Sequence, residues 1–401
     1  MDIKTQQRER SSQLTRSPAA RVLCMLAVLA QLAAPALAGP REQAVRMHNR
    51  LTGSPPSSAN LDAMAAAIQG NNALAAAQIA TSQPGFYNVT LANFVKPWTN
   101  RAQTVFVPMN DYVATVMGMV RDDVPFNTVL SADILYTVNA PGLPAPSNSN
   151  NDHYATAETN SVDFSTALTK STQSSTYGTP PAGVAGIITT YGASQAFFVA
   201  GTNRAMFRFT MINHFCRDME ALQDNTRPSD RIRQDVARSP GGDSRVFLNS
   251  CVGCHSGMDP MAQAFAYYNF DLTKSAQGAF VYTPGMVQPK YFINATNFKY
   301  GFVTPDNSWS NRWRSGPNAN LGWDPTLPGS GAGAASLGQE LAASDAFADC
   351  QVQKVFQAIC FRTPGNAADR TQAAQIKANF KAGGYHLKQV FQETAVYCMG
   401  Q

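Results

Sequence analysis

Two cysteines three positions apart, followed directly by a histidine, put two thiols and an imidazole into one short stretch: Cys251-Val252-Gly253-Cys254-His255. That order is the attachment pattern for c-type haem. The two thiols add to the two vinyl groups on one edge of a porphyrin, and the next residue brings an imidazole to the iron as proximal ligand. Three other chemistries use part of this set. A structural zinc site wants a fourth ligand and usually a second Cys/His cluster, and the sequence offers none. A thioredoxin-like pair wants a strand leading into a helix at the first cysteine, which "GGDSRVFLNS" does not supply. A disulfide beside an incidental histidine is the plain alternative. The residue order selects one covalent haem c on Cys251 and Cys254, with His255 on the iron.

The sixth iron position then decides the task. A side chain filling it leaves electron transfer; an open position admits peroxide or oxygen chemistry. Met286, in the Pro/Gly-rich "YTPGMVQPKYF", follows His255 by 31 residues and is the first candidate. Met258 and Met261 are too close to His255 to cross the haem plane and are expected to wall the pocket. His214 and then His386 are weaker candidates, and His48 and His153 sit in polar surroundings with no partner in view. In a haem peroxidase or oxygenase, Arg204, Arg208 or His214 would serve on the distal side. No second CxxCH occurs to store an electron, as di-haem peroxidases require. A third possibility is a surface protein whose haem only stabilises the fold. Pro260 is expected to offer its carbonyl to Nδ1–H of His255, and Phe247, Phe265, Tyr267, Tyr268 and Phe270 to pack the core or the haem edge. Trp309, Trp313 and Trp323 are expected in core or loop packing.

The compartment is set by the first residues. Lys4, Arg8, Arg10, Arg16 and Arg21 precede "VLCMLAVLAQLAA", an apolar run of about 13 residues that is too short to cross a bilayer. Ala36 and Ala38 then fit the small-x-small cleavage rule of a secretory signal. Residues 1–38 are therefore expected to be removed and the protein to be periplasmic or extracellular. The signal carries +3 of the chain's +5, so no basic nucleic-acid or membrane surface is indicated, and no later run spans a membrane. A redox protein is the expected partner.

Export gives the remaining cysteines an oxidising environment. Cys216, Cys350, Cys360 and Cys398 are the disulfide candidates. Cys350 and Cys360 share "SDAFADCQVQKVFQAICFR", which reads as one helix with Phe347, Val352, Val355, Phe356 and Ile359 on its apolar positions, stopped by Pro364. Ten helical residues separate Cα atoms by about 15 Å, and a disulfide needs about 6 Å. The two must therefore pair with Cys216 and Cys398, in either combination.

The elements that position these groups read as mainly α. "ANLDAMAAAIQGNNALAAAQIATS" is helical with a break at "GNN"; "FVPMNDYVATVMGMVRDD" and "PFNTVLSADILYTV" give mixed helical segments; Ala205 to Leu222 reads as one amphipathic helix. "NAPGLPAPSNSNNDHY" is a polar loop, "QDNTRPSDRIRQDVARSPGGD" a charged connector, and "GSGAGAAS" (329–336) a flexible joint. The expected organisation is a helical N-terminal domain, 39–235, of unknown role, and a cytochrome c-like haem domain with long irregular loops and C-terminal helices, 236–401. A small domain needs only about 100 residues, so the long N-terminal segment suggests a docking module.

"CVGCHSGMDPMAQAFAYYNFD" resembles the CxxCH-xx-MDP-(apolar)-ENFD signature of exported cytochrome-like proteins of uncharacterised function, abundant in planctomycetes and found in proteobacteria. "VPFNTVLSADILYTV", "GTNRAMFR", "FADCQVQKVF" and "GYHLKQVFQETA" resemble further stretches of that family, so the likeness runs from Asn93 to Cys398 and is specific from Gly241 to Asp271. "QAFAYYNFD" stands here for the family's "GFALENFD". The resemblance implies a haem-c domain embedded in a larger exported protein and no particular reaction.

Overall fold

The computed structural model describes residues 38–199, 201–296 and 298–400. The expected export segment, 1–38, lies outside them except for Ala38. Among the described residues 56% are helical and 7% lie in strands, so the chain is mainly α. No described helix is long and apolar enough to cross a membrane.

The Ala-rich start folds as its punctuation dictates. Helix α1 (Pro40–Thr52) begins on a proline and ends at Gly53 in the left-handed region, φ 72°. Ser57 caps α2 (Ser58–Gln69), and Asn72 caps α3 (Ala73–Thr81) after the Gly70-Asn71-Asn72 break. Asn110 caps α4 (Asp111–Arg121), which is buried from Asp111 through Val120. Strand β1 (Leu135–Val138), α5 (Asp152–Thr159) and β2 (Leu168–Ser171) follow, with β1 and β2 antiparallel. Then come α6 (Tyr191–Phe197), α7 (Arg204–Phe215), α8 (Ser244–Ser250) and α9 (Val252–Ala262). Hairpin β3 (Tyr268–Asp271) and β4 (Ala279–Tyr282) precedes the pair β5 (Ser308–Ser310) and β6 (Ser330–Ala332). The chain closes with α10 (Gly333–Ala342), α11 (Asp345–Cys360), α12 (Ala367–Ala382) and α13 (Leu387–Cys398).

Helix α11 is the spine. Its five expected apolar side chains are all buried, each contributing at most about 1.5–3 kcal/mol. It packs against α7, α12 and α13, while α13 also covers α1 and α3. One apolar cluster runs from Ala44 to Ala395, so the segments 39–235 and 236–401 share a core across the expected boundary. Cys216 joins Cys350 and Cys360 joins Cys398, with Cα atoms 5.3 and 5.6 Å apart. Both bridges leave the same continuous helix for other elements, which resolves the pairing that spacing left open.

Four local readings change. The helix expected to reach Leu222 stops at Phe215: Cys216 takes φ 53°, and Asp218 caps a separate turn from Met219 to Leu222. "DILYTV" forms strand β1 rather than helix, because Gly118 on α4 leaves room for the Tyr136 ring, which a Cβ there would meet at 2.1 Å. "GSGAGAAS" is no flexible joint: it makes β6 and opens α10, and Trp309 Nε1 donates to Ser336 Oγ at 2.8 Å. The charged connector is partly interior, with Asp224, Arg233 and Asp235 buried.

Candidate functional site

The CxxCH stretch straddles the junction of two helices. Asp243 caps α8 by accepting from the Arg245 N–H, and Cys251 ends that helix as the N-cap of α9. The Cys251 N–H donates to Phe247 O at 3.0 Å, and the His255 N–H to Cys251 O at 3.1 Å. Cys251, Cys254 and His255 thus stand on the first turn of one helix, where spacings of three and four residues share a face. Two glycines on α9 let its other side be covered closely. A Cβ at Gly253 would lie 2.6 Å from Asn225 Oδ1, and one at Gly257 would lie 2.0 Å from Trp313 Nε1. Pro260 lacks the N–H that would return to Ser256, and the helix ends two residues later.

His255 is held from behind. Its Nδ1 lies 3.2 Å from both oxygens of Asp259, one helical turn on. Pro260 was the expected acceptor; in a helix its carbonyl points along the axis away from residue 255, whereas a side chain at 259 shares the face of 255. Asp259 is fully buried. Arg204 grips it at two points, Nε to Oδ1 at 2.7 Å and Nη2 to Oδ2 at 2.9 Å. The same guanidinium grips buried Asp235 at 2.7 and 2.8 Å, and Arg233, fully buried, lies 3.4 Å from Asp235. Burial would push the Asp259 carboxyl up, but Arg204, Arg233 and His255 outweigh it and hold it well below the ordinary carboxylate range. Asp235 is lowered for the same reason, burial being overcome by Arg233 and Arg204. An ionised Asp259 only accepts, so Nδ1 carries the proton and donates. Nε2 makes no hydrogen bond among the described residues, and the His255 side chain keeps 18% of its surface exposed.

The two cysteines of the motif are free thiols. Cys251 packs with Ile232, Val236 and Phe247. Cys254 donates to Met219 O at 3.4 Å, and its thiol is pushed up to about 11 by burial, with Glu220, Cys251 and Asp218 adding to it. The Phe247 ring centre is 6.1 Å from that of His255, and Arg238 lies over both Phe247 and Phe298, at 5.7 and 3.7 Å. The two segments that meet there also expose Val246, Leu248, Ile293 and Val303. This donor set fits haem c: two unpaired thiols, one imidazole with Nδ1 already tied, and apolar surface beside them. Among the described residues no three His, Cys, Asp or Glu side chains are grouped to hold a metal ion. Clefts of 570 and 600 Å³ open elsewhere, one between Thr99 and Tyr191 and one beside Arg46 and Phe361.

Most other residues singled out by type are structural or engaged. Met258 and Met261 are core, as are Phe247, Phe265, Tyr268, Phe270, Trp309 and Trp313. His214 is fully buried, 3.2 Å from the Tyr112 hydroxyl and edge-on to Trp98; burial, then Lys354, holds its imidazole well below the ordinary range. Arg208 is paired with Asp218 at the surface. Of the three side chains considered for a distal role, none is free. His48 and His153 are not solvated: Nδ1 of each meets a carbonyl, Ser54 O and Pro144 O. His386 precedes α13 as its N-cap. Met286 is half-exposed on the turn after β4, a turn tied back to the end of the α9 segment where the Gln288 N–H donates to Ala266 O. Asp259, Asp235 and Arg233 were not among the residues expected at the site. The i, i+4 spacing from His255 could have found Asp259; the other two sit in the stretch read as a charged connector.

No family model, curated protein or solved structure matches the chain.

Proposed function

We propose that the protein is an exported mono-haem c-type cytochrome that passes single electrons to or from a redox partner in the periplasm or outside the cell. One observation carries this: the fold joins four cysteines in two disulfides and leaves Cys251 and Cys254 as thiols, on one helical turn with a histidine. Cys251 and Cys254 would hold the porphyrin by thioethers and His255 would offer Nε2 to the iron. When bound, the haem supplies a one-electron couple. The chain's own part is to keep the proton on Nδ1, fix the imidazole plane through Asp259, and surround the site with apolar side chains. The cytochrome-like proteins that the motif resembles are in keeping with this reading. Electron transfer is favoured over peroxidase or oxygenase chemistry because Arg204, Arg208 and His214 are all committed elsewhere. Met286 remains the candidate sixth ligand.

Optical and EPR spectra of the protein matured in a host that attaches c-type haem test the proposal. A low-spin ferric iron indifferent to cyanide, made high-spin by Met286→Ala, is expected. A high-spin iron that takes up cyanide would overturn electron transfer in favour of a haem enzyme.

A further inference from the structure

We infer that Asp259 is the positioning residue of the proximal side, an ionised carboxylate that both aims His255 and strengthens its Nε2 as a donor; this rests on the haem reading above. Four observations carry it. The acceptor facing Nδ1 is a side-chain carboxylate rather than a backbone carbonyl, and both its oxygens stand 3.2 Å from the nitrogen. Its plane is fixed, because Arg204 occupies both oxygens at 2.7 and 2.9 Å. Arg204 cannot turn away, since Thr202 and Asp235 hold its Nη1 at 2.6 and 2.7 Å and Asp235 also holds its Nη2 at 2.8 Å. The ensemble is neutral: two carboxylates, Asp259 and Asp235, against two guanidiniums, Arg204 and Arg233. That balance permits its burial, for an isolated buried charge is prohibitive.

The arrangement has a direction. Of the four charges, only the Asp259 carboxylate touches the imidazole, and Arg204, Asp235 and Arg233 lie behind it. A proton donated toward a carboxylate leaves more electron density on the opposite ring nitrogen, the general effect of such partners on metal-bound histidine. Density on Nε2 favours the more positive oxidation state of whatever metal it binds. Asp259 therefore lowers the midpoint potential and holds the Nδ1 proton against exchange with solvent.

Asp259→Asn tests this, since it keeps the shape and removes the charge. In the haem-loaded protein the midpoint potential is expected to rise and the Nδ1–H signal in NMR to exchange faster. Arg204→Lys, which keeps a cation but loses the two-point grip, should move both readouts the same way by a smaller amount. Asp62→Asn, at a surface pair with Arg41 far along the chain, should move neither. If the wild type loads haem and neither Asp259→Asn nor Arg204→Lys shifts potential or exchange, the inference is overturned while the haem reading stands. If Asp259→Asn does not fold, Arg204→Lys decides alone. Absence of covalent haem in the wild type is a failure of the haem reading itself.

Discussion

Gly257 on α9 faces the indole of Trp313, and replacing it by alanine gives a stability change whose sign is informative. In a helix interior alanine is better than glycine by about 1 kcal/mol. Against that gain, the new methyl would stand 2.0 Å from Trp313 Nε1, 2.5 Å from Cε2 and 2.9 Å from Cδ1. The ring cannot swing aside easily. Trp313 is fully buried, its backbone N–H donates to Asn311 Oδ1 and its backbone carbonyl accepts from Trp323 Nε1, so the chain that carries the ring is held. Overpacking a filled site costs about 1–3 kcal/mol, and contact with three atoms of a fixed ring belongs at the upper end. The net expected loss is about 2 kcal/mol. With a urea slope of about 3 kcal/mol/M, the unfolding midpoint drops by roughly 0.7 M. Urea titration followed by tryptophan fluorescence reads this, and Trp313→Phe in the same chain should recover part of the loss through pairwise coupling. A Gly257→Ala protein as stable as wild type, or more so, would mean that Trp313 does not lie on α9 and that the site's back wall is wrongly described.

Other outcomes follow from the same geometry. Peptide mapping without reduction should find Cys216 bonded to Cys350 and Cys360 to Cys398. Loop entropy puts the loss on replacing each pair by serine at about 5 and about 4 kcal/mol respectively, from separations of 134 and 38 residues; equal or reversed losses would count against this ordering. In haem-free protein with disulfides intact, the Cys254 thiol should alkylate slowly until the pH approaches about 11. Asp259 and Asp235 have folded values below their unfolded ones, so their stabilisation is fully present above about pH 4 and is lost as pH falls below it. Denaturation midpoints measured from about pH 2 to 6 should show that slope, and Asp259→Asn should flatten it. Residues 236–401 alone should stay unfolded by circular dichroism, because α11 and α13 lose α1, α3 and α7; a folded fragment would restore the boundary near residue 235.

The long helices were readable because their signals are local. Apolar spacing on α11 and the Gly70-Asn71-Asn72 break both lie in consecutive residues, and the structure follows them. Strand β1 and the β5–β6 pair were not readable in the same way. Each depends on a glycine admitting a distant aromatic ring, Gly118 for Tyr136 and Gly331 beside Trp309, and nothing next to those glycines in sequence announces it. The thiols and the imidazole were plain from type and order. Their support was not, since Arg204 comes from α7 and Asp235 from a stretch dense in charge, and only folding turns that charge inward. The shared core had the same cause: a Pro- and Arg-containing connector looks like a boundary until the Cys216–Cys350 disulfide is seen to span it and α1, α3 and α7 to pack on α11 and α13 beyond it.

The most direct measurement is the intact mass of the denatured protein after export in a host that matures c-type cytochromes, alongside Cys251→Ser/Cys254→Ser. The wild type is expected to retain one haem covalently and the double variant none, with both disulfides formed in each. A wild-type chain carrying two free thiols and no haem would contradict it.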